Sequence, residues 1–258
     1  MDSAKIKLTI KILTVIALIA GLGIGILALA GPLAVWFGMA DFRLGFGYLQ
    51  TVNVYSDWIA GVCLVIAVGS YLIARHKGVA NINGFIGMAA IGCLSAALAY
   101  FVPESFRPPE GTPPIHDITT DTINPPEYVA IAPLRADAPN SMEYGAGNNM
   151  TPERLRELQQ QAYPDIVPQR FQDTPEAVFD RALAAANSLG WEIIAAEREA
   201  GRIEATDTTF WFRFKDDVVI YITEDGGETI LNARSLSRVG VSDVGKNAAR
   251  LREFFSLL

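Results

Sequence analysis

His116, Asp117 and Asp121 stand within six residues of one another, with Thr119 and Thr120 between them. An imidazole beside two carboxylates is a pattern that can move a proton or hold a metal. Only one other histidine, His76, occurs in the chain, and it stands in the apolar front third. Cys63 and Cys93 are the only cysteines, so the soluble part offers no thiolate. No Ser-His-Asp set accompanies His116. The residue types therefore favour a loop fixed by hydrogen bonds, because Asp and Thr side chains bond neighbouring backbone in turns. No metal and no cofactor is expected.

Gly240-Val241-Ser242-Asp243-Val244-Gly245-Lys246-Asn247 nearly spells a phosphate-binding loop. Asn247 stands where a Ser or Thr hydroxyl would hold Mg²⁺, and the preceding strand belongs to a meander rather than a βαβ unit. A nucleotide site is not expected. What remains is a candidate anion site made of Arg234, Arg238, Ser242 and Lys246, at a helix start whose free N–H groups attract negative charge. The competing reading is that Asp243 caps the helix and the arginines pair with the many carboxylates. A third candidate is Phe210-Trp211-Phe212-Arg213-Phe214. Read as a strand, it puts the three Phe on one face and Trp211 with Arg213 on the other, a candidate binding surface.

Different materials must position these groups. The chain has 258 residues and a formal net charge of −7. Residues 1–102 carry six Lys/Arg against three Asp/Glu, whereas residues 103–258 carry fifteen against twenty-five. An apolar, slightly basic front and an acidic soluble back exclude a single soluble globule. The acidic back also argues against nucleic acid as a partner.

Three stretches are long and apolar enough to cross a bilayer: 8–30, 58–74 and 82–102. Trp36, Phe37, Trp58, Tyr100 and Phe101 mark their ends, as amphipathic rings do at a membrane interface. Lys5, Lys7 and Lys11 precede the first span, and Arg75 and Lys77 lie between the second and third. Positive residues stay inside, so the N-terminus is expected in the cytoplasm and everything after residue 102 outside, in a bacterial periplasm. A cleaved signal peptide is the other reading of the first span, but its apolar stretch is too long. Gly21 and Gly25, and Gly92 with Ala96, are read as packing among the three spans. Residues 31–57, rich in aromatics and Gly, are expected to lie along the membrane surface.

Residues 103–150 hold nine of the fourteen prolines. Proline fixes φ and removes a donor, so an extended linker is expected, partly wrapping the domain through Tyr128–Ala132. Residues 151–258 read as the domain itself. Helices start at Thr151-Pro152-Glu153 and Thr174-Pro175-Glu176, each an N-cap followed by Pro. A short strand is expected at 169–172 and further strands at 191–196, 202–206, 210–215, 218–223 and 229–237, with Asp216-Asp217 as a turn. A last helix runs over 243–257. The sum is an α+β two-layer sandwich, an antiparallel sheet with two main helices, preceded by a three-helix transmembrane region.

Several stretches carry a family resemblance: His116–Asp121 with Pro125-Pro126, Gly190-Trp191-Glu192, Arg202–Thr209, Phe214–Val219 and Ser235–Asp243. Together, over roughly residues 113–258, they resemble the domain of unknown function 1499. The resemblance implies a membrane-anchored bacterial protein and brings no established activity or catalytic residue. The order of helices and strands is also similar to that of small sandwich domains in a lipoprotein of the outer-membrane β-barrel assembly machinery. The expected role is non-catalytic, a binding or envelope-assembly module with an envelope protein or lipid as partner. The alternative is a lipid or small-ligand carrier, or a hydrolase, using a cleft between sheet and linker.

Overall fold

In lipid every backbone N–H and C=O must be satisfied within the segment, so apolar runs of this length become helices. Three form: α1 (Ser3–Trp36), α2 (Phe42–Lys77) and α3 (Asn83–Glu104), each long and apolar enough to cross a membrane. The computed structural model describes residues 3–147 and 150–258. Met1, Asp2, Asn148 and Asn149, which fall within the expected anchor and linker, lie outside the described residues.

The chain divides into two compact units, the first comprising residues 1–107 together with Trp211–Arg213. In it α1 and α2 have 34 and 36 residues. At about 1.5 Å per residue both exceed the roughly 30 Å hydrocarbon core. The expected surface loop over 31–57 is therefore corrected: only residues 37–41 join two helices that continue through it. Asp41 starts α2 by accepting from Arg43 N (2.7 Å) and Leu44 N (3.0 Å). Two of the glycines that suggested a loop, Gly31 and Gly45, serve close packing instead, whereas Gly47 faces open space. A Cβ on Gly31 would lie 2.5 Å from the Gly45 carbonyl oxygen, and one on Gly21 only 2.0 Å from that of Gly92. Small residues let helix backbones approach.

The second unit comprises residues 108–210 and 214–258. Its elements are β1 (Asp117–Thr119), a 3-10 turn (Ala132–Arg135), α4 (Pro152–Ala162), β2 (Gln169–Phe171), α5 (Pro175–Ser188), β3 (Glu192–Glu197), β4 (Arg202–Thr208), β5 (Lys215–Asp225), β6 (Glu228–Ser237) and α6 (Lys246–Phe255). All pairings are antiparallel, in the order β1-β6-β5-β4-β3, with β2 also on β6. The α+β class with a helix layer on the sheet is as expected.

Two strands differ from expectation. Residues 210–214 are not a strand, Lys215 begins β5, and Asp216-Asp217 is not a turn. β4 and β5 pair from Arg202↔Tyr221 to Thr208↔Lys215, which makes 209–214 the turn. Thr209 N donates to Phe214 O (2.8 Å) and Phe214 N to Thr209 Oγ1 (2.9 Å), closing it. Asp216 and Asp217 lie buried within β5. Two adjacent acids look like solvent-facing turn residues, but here each meets buried arginines.

Strand alternation sorts side chains onto two faces. Ile203, Ala205, Val218, Ile220, Ile222, Leu231 and Ala233 form one core with Val178, Phe179 and Ala182 of α5 and Leu251 and Phe254 of α6. Trp191 stacks on Phe254 with ring centroids 5.4 Å apart. The opposite face carries Val219 and Leu236 and packs against Tyr128 and Ile131 of the proline-rich segment.

Candidate functional site

The proline-rich face is where charge is concentrated. Arg234 points into it from β6 and is 2% exposed. Its Nε and one terminal nitrogen donate to the two Asp117 carboxylate oxygens, both at 2.8 Å. The remaining reach goes to the carbonyls of Pro126 (3.1 Å) and Met142 (2.7 Å). The rings of Tyr128 and Tyr144 flank the guanidinium. Burial disfavours the charge on Arg234, but Asp117 outweighs it and raises the pKa above the ordinary arginine value. A fork matched by one carboxylate is a strong charge-assisted pair. Four of the five guanidinium N–H donors are used in this way.

Asp217 forms the second node. It accepts from Arg135 (2.5 Å), from Arg238 at both oxygens (2.9 Å each) and from the Thr206 hydroxyl (2.7 Å). Burial pushes its pKa up, but the donors from Arg238, Thr206 and Arg135 prevail and hold it below the ordinary value. Glu204, wholly buried in β4, is the third node. It accepts the backbone N–H groups of Val129 (3.0 Å), Ala130 (2.9 Å) and Ile131 (2.8 Å). Arg202 Nε stands 3.1 Å from it, near enough for an ion pair but not aligned to hydrogen-bond. These contacts tie the proline-rich segment to the sheet, since an unsatisfied buried amide costs about 1–3 kcal/mol.

On the helix face Arg250 of α6 donates to Asp216 (2.6 Å), Asp207 (2.8 Å) and Ser235 Oγ (3.1 Å). Asn247, which replaces the Mg²⁺-binding hydroxyl of a phosphate loop, is buried. It accepts from Ser235 Oγ (2.7 Å) and donates to His116 O (2.8 Å) and Ser237 Oγ (3.0 Å). Asp243 accepts from Gly245 N (2.8 Å) and Asn247 N (2.7 Å). Burial pushes its carboxyl pKa up, against those two donors. Ser242 Oγ accepts from Val244 N (3.1 Å). Lys246 begins α6. The four expected anion ligands do not converge: Arg234 and Arg238 turn to the proline-rich face, and Lys246 belongs to the helix layer. The anion site is corrected on that ground, because strand alternation separates the arginines from the helix start.

The His116, Asp117 and Asp121 cluster is dispersed as well. Asp117 belongs to Arg234. Asp121 accepts from Ile123 N and Asn124 N, both at 2.9 Å, as a turn-forming carboxylate does. His116 Nδ1 lies 3.2 Å from the Val241 carbonyl oxygen. His116 and Asp117 do border a cavity of about 100 Å³, with Pro114, Ile115 and Leu155. Drug-sized ligand pockets typically run to roughly 300–1,000 Å³, several times this space. Among the described residues no group of three or more His, Cys, Asp or Glu could hold a metal ion.

Trp211 and Arg213 lie in the β4–β5 turn, where Arg213 has a left-handed backbone (φ 54°). Within the helical unit, to which Trp211–Arg213 belong, Phe212 meets Phe46 edge-on and Arg213 lies over the Trp36 ring. Phe210 and Trp211 are 64% and 38% exposed. The two-faced strand expected here is thus a tight aromatic turn.

A family model described as "Protein of unknown function (DUF1499)" matches residues 117–258, more than half the chain. The chain belongs to DUF1499. The match begins at Asp117 and ends at Leu258. It takes in every strand of this DUF1499 sheet and the buried acids Asp117, Glu204, Asp216 and Asp217. No curated protein and no solved structure matches this DUF1499 chain. The likeness to the β-barrel assembly lipoprotein rests on element order alone.

The sequence singles out neither Glu204, Arg135, Arg250 nor Gln159 in this DUF1499 domain, and it reads Asp216-Asp217 as a turn. Gln159 of α4 is buried and imitates a strand neighbour. Its Oε1 accepts Thr119 N (3.0 Å) and its Nε2 donates to Thr119 O (2.6 Å). One signal was present: charged residues at inward positions of strands whose neighbours are Val, Ile and Ala. Such charges are rarely buried unless paired.

Proposed function

We propose that this DUF1499 member is a membrane-anchored, non-catalytic binding or envelope-assembly module. On this reading its three spans sit in the bacterial inner membrane with the N-terminus cytoplasmic. The acidic α+β domain stands in the periplasm, and Trp211 with Arg213 of the β4–β5 turn forms the contact surface. The observation that carries the reading is how the reactive groups are used. Asp117, Glu204, Asp216 and Asp217 each hold arginines or backbone amides in the interior. Carboxylates committed this way position structure rather than protons. Trp211 keeps 38% of its surface exposed, and aromatic side chains are favoured anchors at interfaces. Lys5, Lys7, Lys11, Arg75 and Lys77 at one end of the helical unit support the orientation.

A carrier or hydrolase cleft between sheet and proline-rich segment has less support. That face is filled by Tyr128, Ile131, Val219 and Leu236.

The test is photocrosslinking in native membranes from a benzophenone side chain at position 211, with exposed position 224 as control. A discrete adduct from 211 and none from 224 is expected. Trp211→Ala, probed from neighbouring position 210, is expected to cut its yield at least tenfold while leaving thermal unfolding unchanged. Equal adducts from both positions, or none from either, contradict the reading.

A further inference from the structure

At the basic end of the helical unit, α2 and α3 meet over a short turn. There Tyr71 and Arg75 of α2, Val79 and Ile82 of the turn, and Asn83 and Ile86 of α3 line an open groove of about 340 Å³. Val79 and Ile82 pack on Ile6, Ile10 and Ala74, so the groove has an apolar floor supplied partly by α1. Its polar rim is Arg75, Tyr71 and Asn83. Arg75 is exposed and bonds the Tyr71 hydroxyl at 3.3 Å. No carboxylate among the described residues forms an ion pair with it. The acids of the described part of this unit stand far off: Asp41 caps the other end of α2 and Glu104 ends α3. Asp57 is eighteen residues from Arg75 along one helix, a rise of roughly 27 Å. Lys5, Lys7, Lys11, His76 and Lys77 share the basic end.

We infer that this groove binds the headgroup of an anionic phospholipid from the leaflet at the basic end of the bundle. The chemistry is matched half to half. A phosphodiester oxygen can accept from Arg75, Tyr71 and Asn83, as phosphates accept from a guanidinium fork. The glycerol backbone and first methylenes lie against Val79, Ile82 and Ile86. A basic pocket between spans at headgroup depth is the arrangement that holds anionic lipid. A zwitterionic headgroup brings its own cation into a cluster of like charge, so it is disfavoured. A free phosphate uses only the polar rim and leaves the apolar floor wet. This inference holds whichever way the chain is oriented.

The test uses the full chain, purified in mild detergent, delipidated and titrated with dioleoyl phosphatidylglycerol or dioleoyl phosphatidylcholine, with retained lipid counted by native mass spectrometry. One phosphatidylglycerol is expected to be retained at least fivefold more tightly than phosphatidylcholine. Arg75→Gln is expected to lose about fivefold, the contribution of one cation near an anionic surface. Lys77→Gln, the same charge change outside the groove, is expected to lose less than twofold. Ile86→Trp fills the groove without altering charge and is expected to abolish retention, which serves if Arg75→Gln does not fold. Equal retention of both lipids overturns the inference. So does an equal loss in Arg75→Gln and Lys77→Gln, which marks diffuse surface charge. Displacement by glycerol 3-phosphate at the same concentration as the lipid overturns it too, because that marks a free-anion site.

Discussion

Arg234 and Asp117 illustrate how a residue that invites a chemical reading can be wholly used by the fold. Removing one partner of a buried ion pair leaves the other charge uncompensated, at a cost of about 3–5 kcal/mol. Arg234→Ala is therefore expected to destabilise the sheet unit by that amount. The check is urea unfolding of the full chain in detergent, read by amide exchange in β5 and β6. Asp217 gives a pH signature. Its folded pKa lies below the ordinary value of about 3.9. The stability it contributes is complete above that ordinary value and is lost as pH falls through the lowered one. Acid unfolding is expected to steepen below about pH 4, and Asp217→Asn is expected to be less stable at neutral pH with a flatter acid limb. Asp243 works in the opposite sense, since its raised pKa means that folding takes up a proton there. A pH titration of unfolding in wild type and Asp217→Asn separates the two.

Elements show which parts of the fold were legible. N-caps were readable because Ser/Thr followed by Pro and Glu is a local signal. Thr151 accepts from Arg154 N (3.2 Å) and Thr174 from Ala177 N (3.4 Å), as their sequences imply. The three long apolar helices were readable because apolar length decides them. The extent of α1 and α2 beyond the core was not, since Gly31 and Gly45 mean close approach only once both helices are in place. The β4–β5 turn was misplaced for a similar reason. Alternation at 210–214 fits a strand locally, and only the distant arginines 135, 238 and 250 put Asp216 and Asp217 inside. The candidate site was misjudged where burial of charge depends on partners far away in sequence. Arg234 and Asp117 are 117 residues apart. Packing of the spans yields a direct prediction. Gly92→Val is expected to lower thermal stability in detergent, because a Cβ there would lie 2.4 Å from the Ala17 carbonyl oxygen. Gly23→Ala, with nothing within 4 Å, is expected to be tolerated or slightly stabilising. Similar melting temperatures for both contradict the packing described.

For the whole molecule, the opposed charge of its two parts becomes an arrangement. Lys5, Lys7, Lys11, Arg75 and Lys77 gather at one end of three helices long and apolar enough to cross a membrane, and most acidic residues belong to a cysteine-free domain whose interior holds Arg135, Arg234 and Arg250. The proposed function depends on that domain standing outside the cytoplasm. Cysteine labelling tests this directly, since Cys63 and Cys93 are the only thiols and both lie within apolar helices. Single cysteines are introduced at exposed Glu199, in the β3–β4 turn, and at Lys77. Cells with permeabilised outer membranes are then treated with a membrane-impermeant maleimide. Labelling of Glu199→Cys before lysis, and of Lys77→Cys only after it, is the result predicted. Labelling in the reverse order would place the DUF1499 domain in the cytoplasm and contradict the account.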